Sequence, residues 1–487
     1  MTDKPSIVSD QDTAFHGTRY FAAVPIIVML APVIALTFTG VLSTEVLVAT
    51  GIIGLVAGSL LNRRKKEYWD VVTQALTDPL GLTVFSLFLL VGIYGTLLTA
   101  SQLSEGIVWL SNQLALGPGL FLLFMYVICS ILGTAMGTSL GIVVIMTPIL
   151  YPAAIGVGVD PMLAAGAILS GAATGDHLAP VSDTTIISSM TQRYRRKSGS
   201  AEIGGVVRAR MQYVIPAFAL SCVLYLVIGS LIYNDPIASL SSGSESGGGQ
   251  GLLMLIPMAV VVTVAIMQRT IFEALTYGII VGIVVALLGG LITISDLFTT
   301  EGGSAQGILI EGATQNIATI TMIILLMGVY GVLKEYGLLD QLVAKLDNLV
   351  GNSPRSTELT MFGFTWLLSF ALIGLVGRLT VIAGPILDAL GSSQNLHPYR
   401  RANILDAVVN SWSFIIPWHV WPILMMIQIQ PLHKANELIP VPAATDFLLS
   451  TYYPVLIWLV LLGAIITGFG RRFEGANGEQ VLTREPS

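Results

Sequence analysis

Long, nearly uninterrupted apolar runs recur along the whole chain, separated by short polar loops. A first series lies near 21–39, 44–61, 82–100, 119–137, 139–158, 163–190 and 211–233. A second follows near 252–267, 274–292, 316–333, 359–377, 379–391, 402–424 and 447–469. About 20 residues of α-helix cross the ~30 Å hydrocarbon layer, so runs of this length predict membrane-crossing helices. A transmembrane β-barrel would instead show short alternating segments. The 163–190 and 402–424 stretches carry polar centres, and each is expected to be a broken helix. The segments 101–117 and 335–352 are amphipathic, as in "LLDQLVAKLDNLV". They read either as interfacial or re-entrant supports or as ordinary connecting helices.

Composition agrees with this pattern. Of 487 residues, 54% are hydrophobic and 11% charged, against about 25% charged in soluble domains. The expected fold class is an all-α polytopic membrane protein, with the lipid bilayer as its principal partner. The net charge of −6 comes with no long acidic or basic block, so nothing points to nucleic acid. The polar first twenty residues precede an apolar run with no small-residue cleavage site, which suggests an uncleaved cytoplasmic tail. Cys129 and Cys222 both fall in apolar segments and read as small buried hydrophobes rather than as a disulfide or metal pair. No P-loop suggests ATP-driven pumping.

The chain repeats itself. Pro148 recurs as Pro385, Pro161 as Pro398 and Pro180 as Pro417, each 237 residues later. "GIYGTL" at 92–97 reappears as "GVYGVL" at 328–333, an offset of 236. The expected organisation is a tail at 1–20, a first repeat at 21–234, a flexible linker at 235–250, a second repeat at 251–471 and a tail at 472–487. About seven spans per repeat is an odd number, so the second repeat should be inverted relative to the first. Inverted repeats with broken helices are a signature of secondary transporters, their breaks meeting near the midplane. Lysine and arginine support the count: "NRRKK" at 62–66, "RYRRK" at 193–197, Arg208, Arg210, Arg400, Arg401 and Arg471 all fall on one side. Both termini are then cytoplasmic, in a multi-pass protein of the cell (inner) membrane. Lys434 is an exception on the outer side, and Arg378 falls at an outer helix end.

The polar centres carry the chemistry. An ionised side chain at mid-bilayer costs about 2.5–3.5 kcal/mol on insertion scales, yet "GAATGDHLAPVSDTTIISSM" at 171–190 holds Asp176, His177 and Asp183. Pro180 has no N–H to offer the Asp176 carbonyl, so the helix should break there. Backbone, hydroxyl and carboxylate oxygens at such a break suit Na⁺. The candidate cation and proton site is Asp176, His177, Ser182, Asp183 and Thr184, with Asp176 and Asp183 as the Na⁺ carboxylates. Pro417 breaks the partner stretch, where Asp406, Asn410, Ser411, Trp412, Trp418 and His419 are candidate substrate contacts. With Trp421, the two tryptophans could form an aromatic wall. Gly133, Gly137 and Gly141 recur every four residues, as on a close-packed helix face. Asp388 reads as a residue of the cytoplasmic edge.

"GDHLAPVSDTTIISS" at 175–189 resembles the signature of the NhaC-type sodium/proton antiporter family, and "IIPWH" at 415–419 resembles its second-half "IPWN" motif. The resemblance covers essentially the whole chain. It implies Na⁺/H⁺ antiport by alternating access, or on the same fold Na⁺- or H⁺-coupled transport of an amino acid or organic acid. It implies no enzymatic activity and no cofactor beyond the transported or coupling ions Na⁺ and H⁺. His419 stands where the family has asparagine, and a small organic solute as cargo is the rival reading. A homodimer is compatible with either. A channel is disfavoured by the broken helices and the lack of a repeated pore loop. An intramembrane protease is disfavoured because "ATGD" at 173–176 lacks the GxGD glycine.

Overall fold

The computed structural model describes residues 14–16, 18–37, 44–77, 79–114, 116–235, 249–268, 270–301, 304–338, 353–371 and 376–483. Most of the 235–250 linker and of the 335–352 amphipathic segment lie outside the described residues, as does the Arg378 side chain.

The first half of the chain contributes α1 (Val24–Thr37), α2 (Thr44–Leu61), α3 (Lys65–Leu76), α4 (Pro79–Ala100), α5 (Leu103–Gln113), α6 (Pro118–Met136), α7 (Ser139–Val157), α8 (Pro161–Leu178), α9 (Asp183–Thr191) and α10 (Ile203–Leu231). The second contributes α11 (Leu255–Gln268), α12 (Ile271–Leu288), α13 (Ile308–Thr314), α14 (Ile317–Glu335), α15 (Pro354–Ala371), α16 (Val376–Ser393), α17 (Pro398–Ile415), α18 (Val420–Ala435) and α19 (Tyr452–Thr467). Two small hairpins complete it, β1 (Thr299–Glu301) with β2 (Ser304–Gln306), and β3 (Phe473–Glu474) with β4 (Gln480–Val481). Among the described residues α6, α7 and α10 are each long and apolar enough to cross a membrane, and bent pairs such as α17 with α18 qualify as broken spans.

Two compact units are distinguishable. One holds residues up to Phe88 together with Asn316–Leu349. In it α14 packs on α2 and α3, the Tyr68 hydroxyl donates to the Leu55 carbonyl at 3.0 Å, and Phe15 meets Tyr336 edge-on. The α3 helix, with Tyr68 and Val72 buried, was not among the expected spans because its one apolar stripe is too short and too charged to register as a run.

The other unit, Leu89–Gln315 with Val350–Ser487, carries the polar breaks. Its helices obey the sequence repeat closely. Adding 237 turns α8, Pro161–Leu178, into α17, Pro398–Ile415, and turns the first residue of α9, Asp183, into the first of α18, Val420. Packing is reciprocal too. The α9 helix lies on α16 while α18 lies on α7, and α10 touches α17 while α19 touches α8. Each half of the chain thus inserts the arm beyond its break against the other half.

Local chemistry sets these boundaries. Pro161 and Pro398 occupy the first turns of α8 and α17, where a missing N–H is harmless. Asp160 caps α8 by accepting from the Met162 N–H at 3.0 Å, and His397 Nδ1 caps α17 by accepting from the Tyr399 N–H at 3.2 Å. Where α8 crosses α6, a Cβ on Gly175 would come 2.5 Å from the Gly133 Cα, so only glycine admits that approach. The expected glycine stripe is nonetheless corrected. The α6 helix ends at Met136, and Gly137 is its left-handed cap at φ +68°, so Gly133, Gly137 and Gly141 do not share one helix.

Candidate functional site

The break after α8 falls where proline demands it. The Ala179 N–H still reaches the Gly175 carbonyl at 2.9 Å, Pro180 offers none, and the chain makes a turn at Pro180 and Val181 before α9 begins at Asp183. Its counterpart, with Pro417, ends α17 at Ile415 and starts α18 after His419.

Beyond the first break, α9 lays its hydroxyls against α17. Asn410 Nδ2 donates to Thr184 Oγ1 at 2.7 Å and to Asp406 Oδ1 at 3.0 Å. Thr185 donates to Asp406 Oδ2 at 3.1 Å, and the Ser182 and Thr184 hydroxyls are 3.1 Å apart. The two polar stretches therefore meet, as the sequence suggested for Ser182, Thr184, Asp406 and Asn410.

A residue assigned to a cytoplasmic loop completes the network. Arg210 lies inside α10 and is fully buried. Its guanidinium forms an ion pair with Asp406 and donates to Asn403 Oδ1 at 2.9 Å, to Thr185 Oγ1 at 3.0 Å and to the His177 carbonyl at 3.0 Å. The physical reason is balance: a buried charge is tolerated when it is paired and its donors are satisfied. Two neighbouring arginines, Arg208 and Arg210, looked like one loop cluster; only the apolar residues continuing from Met211 hinted that Arg210 is within a span. Arg400 and Arg401 likewise sit in the first turn of α17, buried and paired with Glu358 and Asp388 at 2.8 Å each.

Asp176 stands apart from that pair. Its carboxylate is buried, the Ser182 and Ser139 hydroxyls are the hydrogen-bonding groups facing it, and among the described residues no cationic side chain pairs with it. His177 turns away, its Nδ1 at 2.9 Å from the Tyr453 hydroxyl of α19. Asp183 is exposed at the first position of α9, where a carboxylate favours the helix dipole. Ser411 donates to its own helix at the Val408 carbonyl, 3.0 Å away. The tryptophans do not share one wall. Trp412 packs between Trp366 and Trp458, Trp418 meets Phe370 edge-on, and Trp421 stacks on Phe414. His419 is buried at the start of α18.

Among the described residues, the buried polar atoms here without a hydrogen-bond partner include Asn410 Oδ1, His177 Nε2 and His419 Nδ1. Buried polar atoms are rarely left unmet. Asp406 is already neutralised by Arg210, so the buried carboxylate left without a cationic partner at the break is Asp176, with the Ser182 hydroxyl beside it, oxygen donors of the kind a hard monovalent cation or a proton takes.

Residues 13–195 match the Na⁺/H⁺ antiporter family. A malate-2H(+)/Na(+)-lactate antiporter of Bacillus subtilis (strain 168) is 28% identical over 263 residues, 50% of this chain and 55% of that protein. The Na(+)/H(+) antiporter NhaC of Alkalihalophilus pseudofirmus is 23% identical over 311 residues, 61% of this chain and 66% of that protein. The chain thus spans less than two thirds of the length of either relative. Among solved structures, Neisseria gonorrhoeae MtrF aligns over 94% of this chain and 97% of that chain at 11% identity, with a TM-score of 0.38.

Proposed function

With this chain a relative of the NhaC-type Na⁺/H⁺ antiporters, we propose that it is a secondary antiporter exchanging Na⁺ for H⁺ across the cell membrane by alternating access. The observation that carries the reading is the division of labour between two buried carboxylates. Asp406 is held by Arg210, Thr185 and Asn410 and keeps the two halves in register. Asp176, beside Ser182 at the break, has no such counter-ion and takes either a proton or Na⁺. One carboxylate holding one or the other makes the two ions competitors, and competition at a single site that faces each side in turn is sufficient for exchange. Asp183, exposed one short break away, guides the cation toward Asp176. In this reading both termini are cytoplasmic and residues 21–234 and 251–471 are the inverted repeats.

The test is Na⁺-driven proton movement in proteoliposomes holding the purified chain and an internal pH dye. Wild type should alkalinise or acidify the lumen according to the Na⁺ gradient, with apparent Na⁺ affinity falling as pH is lowered. Asp176→Asn should abolish exchange while leaving the unfolding midpoint in place; wild-type exchange by Asp176→Asn would overturn the proposal. A second reading, coupled transport of an organic solute, is favoured by the relative named as a malate/lactate antiporter. Na⁺ or proton movement that appears only with an added organic acid or amino acid would select it.

A further inference from the structure

The 237-residue correspondence also exposes where the two halves differ. At the end of α9, Thr191 packs against Gly384 of α16 so closely that a Cβ on the glycine would come 2.3 Å from the threonine oxygen. Gln192 Nε2 donates to the Gly384 carbonyl at 2.9 Å, and the Arg193 N–H donates to the Asp388 carboxylate at 2.8 Å. Beyond them, buried Glu474 of β3 accepts the Arg195 and Arg196 backbone N–H groups at 2.9 and 2.8 Å. This end is closed by protein.

The repeat equivalents are Gln428 for Thr191, Pro148 for Pro385 and Lys434 for Lys197. There the joint itself is packed, with Thr147, the equivalent of Gly384, fully buried, but beside it lies a cavity of about 440 Å³ bordered by Gln428, Pro148, Thr96, Thr99, Glu311 and Lys434. Small-molecule sites commonly have volumes of about 300–1,000 Å³. Gln428 is 7% exposed and its Nε2 has no hydrogen-bond partner, an unmet donor on the cavity wall. Glu311 and Lys434 are both exposed at the cavity, and among the described residues neither forms an ion pair. Opposite charges that share a cavity without pairing suit a ligand that carries both.

We propose that this cavity is a binding chamber for a small zwitterionic amino acid, its ammonium directed to Glu311 and its carboxylate to Lys434 and the Gln428 amide. Placing the chamber on a transport path rests on the antiporter reading above, whereas binding stands independently of it. In that reading the Thr191 end is closed and the Gln428 end, where the cavity lies, is the accessible side of an alternating-access cycle.

The experiment is calorimetry on the purified full chain with each standard L-amino acid, and with L-lactate and ethylamine as probes that carry only one of the two charges. At least one amino acid should bind, and either single-charge probe should bind about tenfold or more weakly. Glu311→Gln and Lys434→Gln should each weaken the amino acid by about tenfold or more, both at exposed positions where an unchanged unfolding midpoint verifies the fold. Gln428→Leu should weaken it as well. If no amino acid binds the wild type, or if lactate binds as tightly and is indifferent to Glu311→Gln, the inference is overturned. Wild-type Na⁺/H⁺ exchange in proteoliposomes, measured separately, tells failure of this chamber from failure of the antiporter reading.

Discussion

Arg210 and Asp406 set the electrostatics of the site. Each is wholly buried, so either one alone would leave an uncompensated charge, a loss of about 3–5 kcal/mol when one partner of a buried pair is removed. Arg210→Met should therefore lower unfolding free energy by roughly that amount, measured by denaturant unfolding in detergent. Adding Asp406→Asn should recover a large part of the loss, because the orphaned charge goes with it. Strictly additive effects would mean the two residues do not act as a pair. The carboxylates at 176, 183 and 406 were legible because charge inside an apolar run stands out. Which of them is neutralised was not, since Arg210 is 196 residues from Asp406 and only the packing of α10 against α17 joins them.

Helix ends were the most readable elements. The run at 44–61 is α2 to the residue, and both proline breaks fall where the missing N–H puts them. Less readable were features made by tertiary pairing, such as the β3–β4 hairpin, whose strands are two residues each. That hairpin supports the cap of α17. His397, just outside the span, accepts from the Tyr399 N–H through Nδ1 and donates through Nε2 to the Gly478 carbonyl at 3.2 Å, so both nitrogens of the neutral ring are in use. Burial, reinforced by Arg401 and opposed by the Gly478 carbonyl and Glu474, holds its pKa down at about 4. The unfolded ring takes a proton near ~6.5. Stability from the neutral ring is thus complete above that value and is lost as pH falls through about 4. His397→Asn, which keeps a capping acceptor, should flatten the decline in unfolding midpoint between these limits. An identical pH profile in wild type and variant would remove His397 as the source.

At the scale of the molecule, the two compact units draw on both sequence halves, so the repeat could be read from the prolines but its assembly could not. What remains to be measured is inversion. The 237-residue offset maps Lys197 onto Lys434, and both are exposed. An axis lying in the membrane plane sends equivalent residues to opposite faces, whereas an axis along the normal leaves them on the same face. In a background with Cys129 and Cys222 replaced by serine, Lys197→Cys should react with a membrane-impermeant maleimide only from the cytoplasmic side. Lys434→Cys should react only from outside, which would turn the single lysine that defies the charge asymmetry into a residue of the outer face. Were both labelled from one side, the halves would be parallel. The closed Thr191 end and the cavity beside Gln428 would then face the same compartment, and they could not serve as opposite sides of the cycle.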